Sequence, residues 1–112
     1  MAKPALTEQK CTPCREGAEP LKGERLKRLA AEVPAWEVVE EHHLRREFKF
    51  KDFASALAWV NRVGEIAEAQ GHHPWVHFTW GKVILELWTH KVGGLVLNDF
   101  ILAAHLDQEW GR

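Results

Sequence analysis

The apolar residues of this chain change their spacing twice, and that change limits its fold more than any single residue does. From Trp36 to Phe50 the spacing is two: Trp36 and Val38 in one stretch, then Leu44, Arg46, Phe48 and Phe50 in the next. Period two marks strands, whose side chains point alternately to opposite faces. Two antiparallel strands turning near Glu41-His42-His43 fit that pattern. A helical spacing follows, from Lys51 or Asp52 to Gly71. Phe53, Ala56, Leu57, Val60, Gly64 and Ala67 form one stripe expected to face a sheet, and Trp59, Val63 and Ile66 widen it. Asp52 is a suitable N-cap and Gly71 a suitable stop. Strand spacing then returns in Trp75–Trp80 and Lys82–Thr89, divided by Gly81. The run from Val83 to Trp88 is apolar on both faces, as in a central strand.

Shorter helical patterns flank this middle. Leu26, Leu29, Ala30 and Val33 come before it and are stopped by Pro34. Phe100, Ile101, Ala104 and Leu106 come after the break at Gly93-Gly94. The predicted order is α-β-β-α-β-β-α. Strand pairs interrupted by a helix imply an α+β fold: a four-stranded antiparallel sheet with three helices packed on one face. Residues 1–20, with Pro4, Pro13, Gly17 and Pro20, read as a loosely ordered N-terminal arm, and residues 21–112 as a single domain. A chain of 112 residues can bury a core without obligatory staples.

Composition narrows the function classes. Fifteen basic against sixteen acidic residues leave a formal charge of −1, so nothing general draws the chain to nucleic acid or to an anionic membrane. No apolar run reaches a membrane span and Met1–Lys10 has no signal-like apolar core, so a cytoplasmic location is expected. Six Trp in so small a domain suggest that some line a pocket or an interface. Cys11-Thr12-Pro13-Cys14 lacks both a second C-x-x-C and a preceding strand, so a structural role is favoured over metal or redox chemistry.

Seven histidines offer the clearest chemistry, and two pairs of them are adjacent. His42-His43 sits among Glu40, Glu41, Arg45 and Arg46 at the predicted turn, and reads as solvated turn residues. His72-His73-Pro74 instead joins a helix end to a strand. Glu68 stands four positions before His72, on the same face if the helix continues. His90 falls where the second strand of the hairpin ends, beside the start of the first. Spacing therefore brings His72, His73 and His90 toward one edge of the sheet. Imidazoles that both donate and accept protons near neutral pH suit removal of water from a carbon bearing nitrogen. A three-His metal site is the competing reading of the same residues.

The pattern Glu68-x₃-His72-His73-Pro74-x₅-Trp80-x₉-His90-x₈-Asp99 resembles the signature of the pterin-4a-carbinolamine dehydratases. Gly81-Lys82-Val83, Thr89-His90-Lys91, Gly93-Gly94-Leu95, Asn98-Asp99-Phe100 and Ala103-Ala104 are similar too. Lys10-Cys11-Thr12-Pro13-Cys14 and Val33-Pro34-Ala35-Trp36 resemble bacterial members. The resemblance implies the same fold, a dimer or tetramer, and no metal or organic cofactor. It also implies dehydration of 4a-hydroxytetrahydropterin to quinonoid dihydropterin, which recycles the cofactor of aromatic amino-acid hydroxylases, with such a hydroxylase as a partner. Carried over by position, His72 and His90 are the acid–base residues and His73 binds and orients the pterin. Glu68 supports His72, Asp99 holds the last helix and the His90 loop, and Pro74 and Trp75 contact the flat ring. Trp80 and Trp88 fit core or interface positions, and His77 the surface. Val96 replaces a capping Thr or Ser, so the last helix is expected to start late, capped by Asn98. An adaptor that keeps the pocket but acts through its surface is the alternative of a different class.

Overall fold

The computed structural model describes residues 5–12 and 18–111. A 3-10 turn, Leu6–Glu8, precedes helix α1 (Gly23–Ala30), strands β1 (Glu37–Val39) and β2 (His43–Lys49), helix α2 (Phe53–Gln70), strands β3 (Trp75–Thr79) and β4 (Lys82–Leu87), and helix α3 (Leu97–Trp110). The strands form one antiparallel sheet in the order β1-β2-β4-β3. The α+β architecture expected from the changes of period is the one observed. β4 is an inner strand, as expected, but only its Val83, Leu85 and Leu87 face is buried, and Glu86 lies on the other.

Alternation fixes which sheet face is covered. Leu44 and Phe48 of β2, and Val83, Leu85 and Leu87 of β4, are buried and face the helices. Phe48 packs its ring 5.2 Å from Trp59 of α2 and 4.8 Å from Trp110 of α3. Each such side chain buried contributes about 1.5–3 kcal/mol. Arg46 shares this inner phase. Its guanidinium donates to Asp107 of α3 and lies 4.5 Å over the Phe48 ring. Trp36 Nε1 also donates to Asp107, at 2.7 Å. Burial pushes the Asp107 carboxyl above its ordinary value, against the opposing pull of Trp36 and Arg46.

α2 differs in phase from the stripe its sequence suggests. Ala56, Trp59, Val63 and Ala67 are the buried positions, whereas Phe53 and Leu57 are 47% and 41% exposed. A helix apolar over a broad arc does not fix its own rotation, and here the largest side chain, Trp59, takes the core. Its ends follow expectation. Asp52 Oδ1 accepts the Ser55 N–H at 2.7 Å, which holds the Asp52 carboxyl below its ordinary value. Gly71, at φ 64°, adopts the left-handed conformation that closes the helix.

Two further expectations change. α3 starts at Leu97, with Val96 as N-cap, not late at Asn98. The Asp99 N–H, which a cap oxygen would accept, donates to the Val96 carbonyl at 3.1 Å, and Asp99 Oδ2 in turn accepts the Val96 N–H at 2.9 Å. The arm is not loose over residues 5–12. Leu6 is 5% exposed and belongs to the core, and the backbone beyond it is tied to α2 and α3. Pro13, Cys14 and Gly17 lie outside the described residues, and with them half of the two-cysteine motif. No helix among the described residues is long and apolar enough to cross a membrane.

Candidate active site

The site forms where α2 ends, β3 begins and the segment after β4 turns into α3. Because Gly71 turns the chain out of the helix, His72 does not continue the α2 face. Its N–H still bonds the Ala67 carbonyl at 3.2 Å, but its ring swings toward α3. There His72 Nε2 donates to Asp99 Oδ1 at 2.6 Å. The His72 side chain is 12% exposed and that of Asp99 0%.

Asp99 is a buried acceptor for three donors. Besides His72 and the Val96 N–H it receives the Thr89 hydroxyl, at 3.0 Å on Oδ2. A carboxylate buried with this set is compensated by hydrogen bonds on both oxygens. Since a carboxylate only accepts, neutral His72 presents its N–H at Nε2 and keeps a lone pair at Nδ1. Thr89 precedes His90, so one buried carboxylate ties together the segments that carry His72 and His90. The resemblance assigns Asp99 to the last helix and the His90 loop; its bonds go to Val96 before α3, to Thr89 beside His90, and to His72.

Glu68 is placed differently from its expected role. It pairs with His73, Nε2 to Oε2 at 2.5 Å, and not with His72. The helical four-residue spacing stops applying at Gly71, and the chain beyond turns His73 back toward the last turn of α2. This pair is open to solvent, with side-chain exposures of 61% and 77%. His90 is exposed and packs 5.1 Å from Trp88 and 5.7 Å from Trp75, measured between ring centres. Trp75 and Trp88 stack nearly parallel, 5.3 Å apart. Pro74 is half-buried at the entry to β3. Among the described residues no hydrogen bond joins His72, His73 and His90 to one another. His72 is linked through Asp99 to Thr89, the residue before His90, while His90 itself packs on Trp75 and Trp88.

The outer sheet face holds a second group. His42 closes the turn, its N–H bonded to the Val39 carbonyl at 2.9 Å, but neither it nor His43 is solvated. Glu40 and Glu41, both at φ 52°, make the turn, so His43 opens β2 and both rings lie half-buried against Trp88. His43 Nε2 is 3.2 Å from Glu86 Oε2, and His77 Nε2 is 2.5 Å from Glu86 Oε1. His77 is on the surface, 55% exposed. Trp80 is not a core residue, being 67% exposed, and Trp88 lies on the outer face. No group of three or more His, Cys, Asp and Glu among the described residues is arranged to hold a metal ion.

Sequence reasoning missed Thr89 and Glu86 as partners. The signal for Thr89 was there: Val83, Leu85 and Leu87 set the buried phase, and Thr89 continues it with a hydroxyl. Nothing comparable marked Glu86, whose partners come from two other strands.

A small α+β domain with a buried carboxylate behind one histidine of a His-His-Pro turn is the class that fold and site define. The chain belongs to the pterin 4 alpha carbinolamine dehydratase family, whose model matches residues 19–109. It is 54% identical over 103 residues, 92% of this chain and 96% of the other, to a protein of Rubrobacter xylanophilus provisionally named pterin-4-alpha-carbinolamine dehydratase. Its fold is similar to that of a transcriptional coactivator/pterin dehydratase from Brucella melitensis. That match has a TM-score of 0.74 and 25% identity, and covers 80% of this chain and 97% of the other. A pterin dehydratase-like RuBisCO assembly factor of the alpha-carboxysome shares the fold at 22% identity and a TM-score of 0.55, over 66% of this chain and 87% of the other.

Proposed function

We propose that this protein is a pterin-4a-carbinolamine dehydratase, converting 4a-hydroxytetrahydropterin to quinonoid dihydropterin and water. The observation that carries the reading is His72 held through Nε2 by the buried Asp99, which leaves Nδ1 to exchange protons. In the reaction the C4a–O bond breaks and the N5–H electron pair becomes the new N5=C4a double bond. His72 Nδ1 accepts the N5 proton. His90 gives a proton to the departing hydroxyl, which leaves as water. Each such transfer by a positioned group is typically worth about 10²–10⁴ in rate. His73, steered by Glu68, binds and orients the ring, and the exposed face of Trp75 beside His90 offers it a flat apolar surface. No resident cofactor enters this scheme.

Family membership and the match to Brucella melitensis support the substrate class. The exposed Phe53 and Leu57 on α2 favour self-association, as a dimer or tetramer, or contact with a hydroxylase. The test is the rate at which 4a-hydroxytetrahydropterin, made in situ by a hydroxylase, becomes quinonoid dihydropterin with and without this protein. Acceleration that survives EDTA is the expected result. A folded protein that gives no acceleration returns the function to the adaptor reading.

A further inference from the structure

The two acid–base residues of the proposed site are held by different means. His72 is fixed by its bond to Asp99. Among the described residues no hydrogen bond or ion pair holds the His90 ring, which is exposed and packs on Trp75 and Trp88. Its position is therefore set by the turn that carries it, from Thr89 to Gly94. The Thr89 carbonyl accepts the Val92 and Gly93 N–H groups at 3.1 and 2.9 Å, and the Thr89 N–H donates to the Gly94 carbonyl at 2.9 Å. At its first residue this turn is tied to Asp99 by the Thr89 hydroxyl. At its last residue it meets the segment that leads into α1. There the Leu21 N–H donates to the carbonyl of the buried Leu95 at 2.7 Å, and Leu21 packs against the core.

The two glycines of the turn answer different needs. Gly93 has φ 71°, and a Cβ on it would meet nothing within 4 Å, so it serves the backbone conformation. Gly94 is not in the left-handed region, yet a Cβ on it would stand 2.8 Å from the Pro20 Cβ. It serves clearance. Carbons in contact sit about 3.5–4.0 Å apart, so a side chain at this position would force the contact open by roughly 1 Å. The Pro20 ring is rigid and does not fold away. Nor is its segment free to retreat. Leu21 is bonded to Leu95, and Gly23, which opens α1, donates its N–H to Glu41 Oε2 at 3.0 Å. The displacement therefore falls on the turn that bears His90.

We infer that Pro20 and Leu21 are a strap that positions His90: seated on Gly94 and Leu95, they fix the turn and through it the place of the imidazole at the reacting centre. Both are positioning residues that act through the turn. This rests on the dehydratase reading above, in which His90 gives a proton, and the experiment separates the two. Wild type, Gly94→Ala, Pro20→Gly and the double variant are compared in kcat and KM on 4a-hydroxytetrahydropterin made in situ. The His90 ring signal is followed in a proton–carbon NMR spectrum, identified by its loss in His90→Ala. Ring currents of Trp75 and Trp88 make that signal a gauge of where the imidazole sits. Gly94→Ala should move the signal and lower kcat at least about tenfold with KM within about threefold, since misplacing a reacting group by about 1 Å costs up to about 10²-fold. Pro20→Gly should lower kcat about threefold or more, by loosening the same contact. The double variant moves the Cβ from position 20 to position 94 and so remakes the contact. Its kcat should return to within about twofold of wild type, and its His90 signal to the wild-type place. A wild-type kcat in Gly94→Ala, a loss with the His90 signal unmoved, or a loss that the double variant does not recover would overturn the inference and leave the dehydratase reading intact. Thermal unfolding shows which variants are folded. If Gly94→Ala does not fold, Pro20→Gly decides, and a wild-type kcat and signal there overturn the strap. If wild type gives no turnover, the dehydratase reading fails, and the His90 signal decides the strap by the same shifts and the same recovery.

Discussion

The chain contains the dipeptide His-His twice, and the two copies have opposite surroundings. His72-His73 follows a helix that has just ended, and its first ring is directed at a carboxylate with no solvent exposure. His42-His43 passes from a turn into a strand, and its second ring meets Glu86, a carboxylate with a side-chain exposure of 24% that also receives His77. Both copies thus have an acidic partner. They differ in whether that partner is buried and fully bonded. Asp99 has three donors and cannot turn away, so it dictates which nitrogen of His72 carries the proton. Glu86, partly in water, imposes no comparable order. A histidine becomes a chemical tool through the group behind it more than through its neighbour in sequence.

The comparison breaks most visibly at Asp99. Asp99→Ala removes the acceptor of three donors and should cost at least about 2 kcal/mol of stability, since an unpaired buried donor costs about 1–3 kcal/mol. A denaturant titration reads this directly. Asp99→Asn keeps the shape but offers His72 a donor, which moves its N–H to Nδ1. Turnover should fall by about 10²-fold or more in a protein of near wild-type stability. A wild-type rate in Asp99→Asn would mean that the buried carboxylate does not set the tautomer. Glu86→Gln is the matching change at the other doublet. It should leave turnover within about twofold and cost under about 1 kcal/mol, because partly exposed pairs are screened.

Smaller effects sharpen the contrast. His73→Ala should raise KM several-fold with little change in kcat, since its pair with Glu68 is open to solvent and its proposed role is binding. Smallest is Asp52→Ala, at the far end of α2 from the site. The Asp52 carboxyl is held below its ordinary value of 3.8, so its stabilisation is present above that value and is lost as the pH falls through the lowered folded-state value. Wild type should melt a few degrees above the variant near neutral pH, and the gap should close in acid. Turnover should not change.

Much of the fold was legible because it rests on local rules. Period two marked both hairpins, and Asp52 and Gly71 marked the ends of α2. The rotation of α2 was not legible. Phe53, Leu57 and Trp59 are all apolar, and only packing against Phe48 and Trp110 decides which one is buried. The start of α3 was misplaced because Val96 has no cap oxygen, while the backbone carbonyl of Val96 takes the Asp99 N–H and the Asp99 carboxylate holds the Val96 N–H. At the site the residue types were legible and their pairings were not. Glu68 was assigned to His72 on the assumption that the helix continues, and Gly71 removes that assumption. The partners of Asp99 and Glu86 are brought together by chain reversals that no spacing encodes.

The most direct test of the central claim puts the two doublets side by side. We would measure the dehydration rate of His72→Ala next to that of the double variant His42→Ala, His43→Ala, with thermal unfolding to show that both are folded. The account predicts a loss of at least about tenfold for His72→Ala and a rate within about twofold of wild type for the double variant. A wild-type rate in His72→Ala, or an equal loss in both, would contradict it.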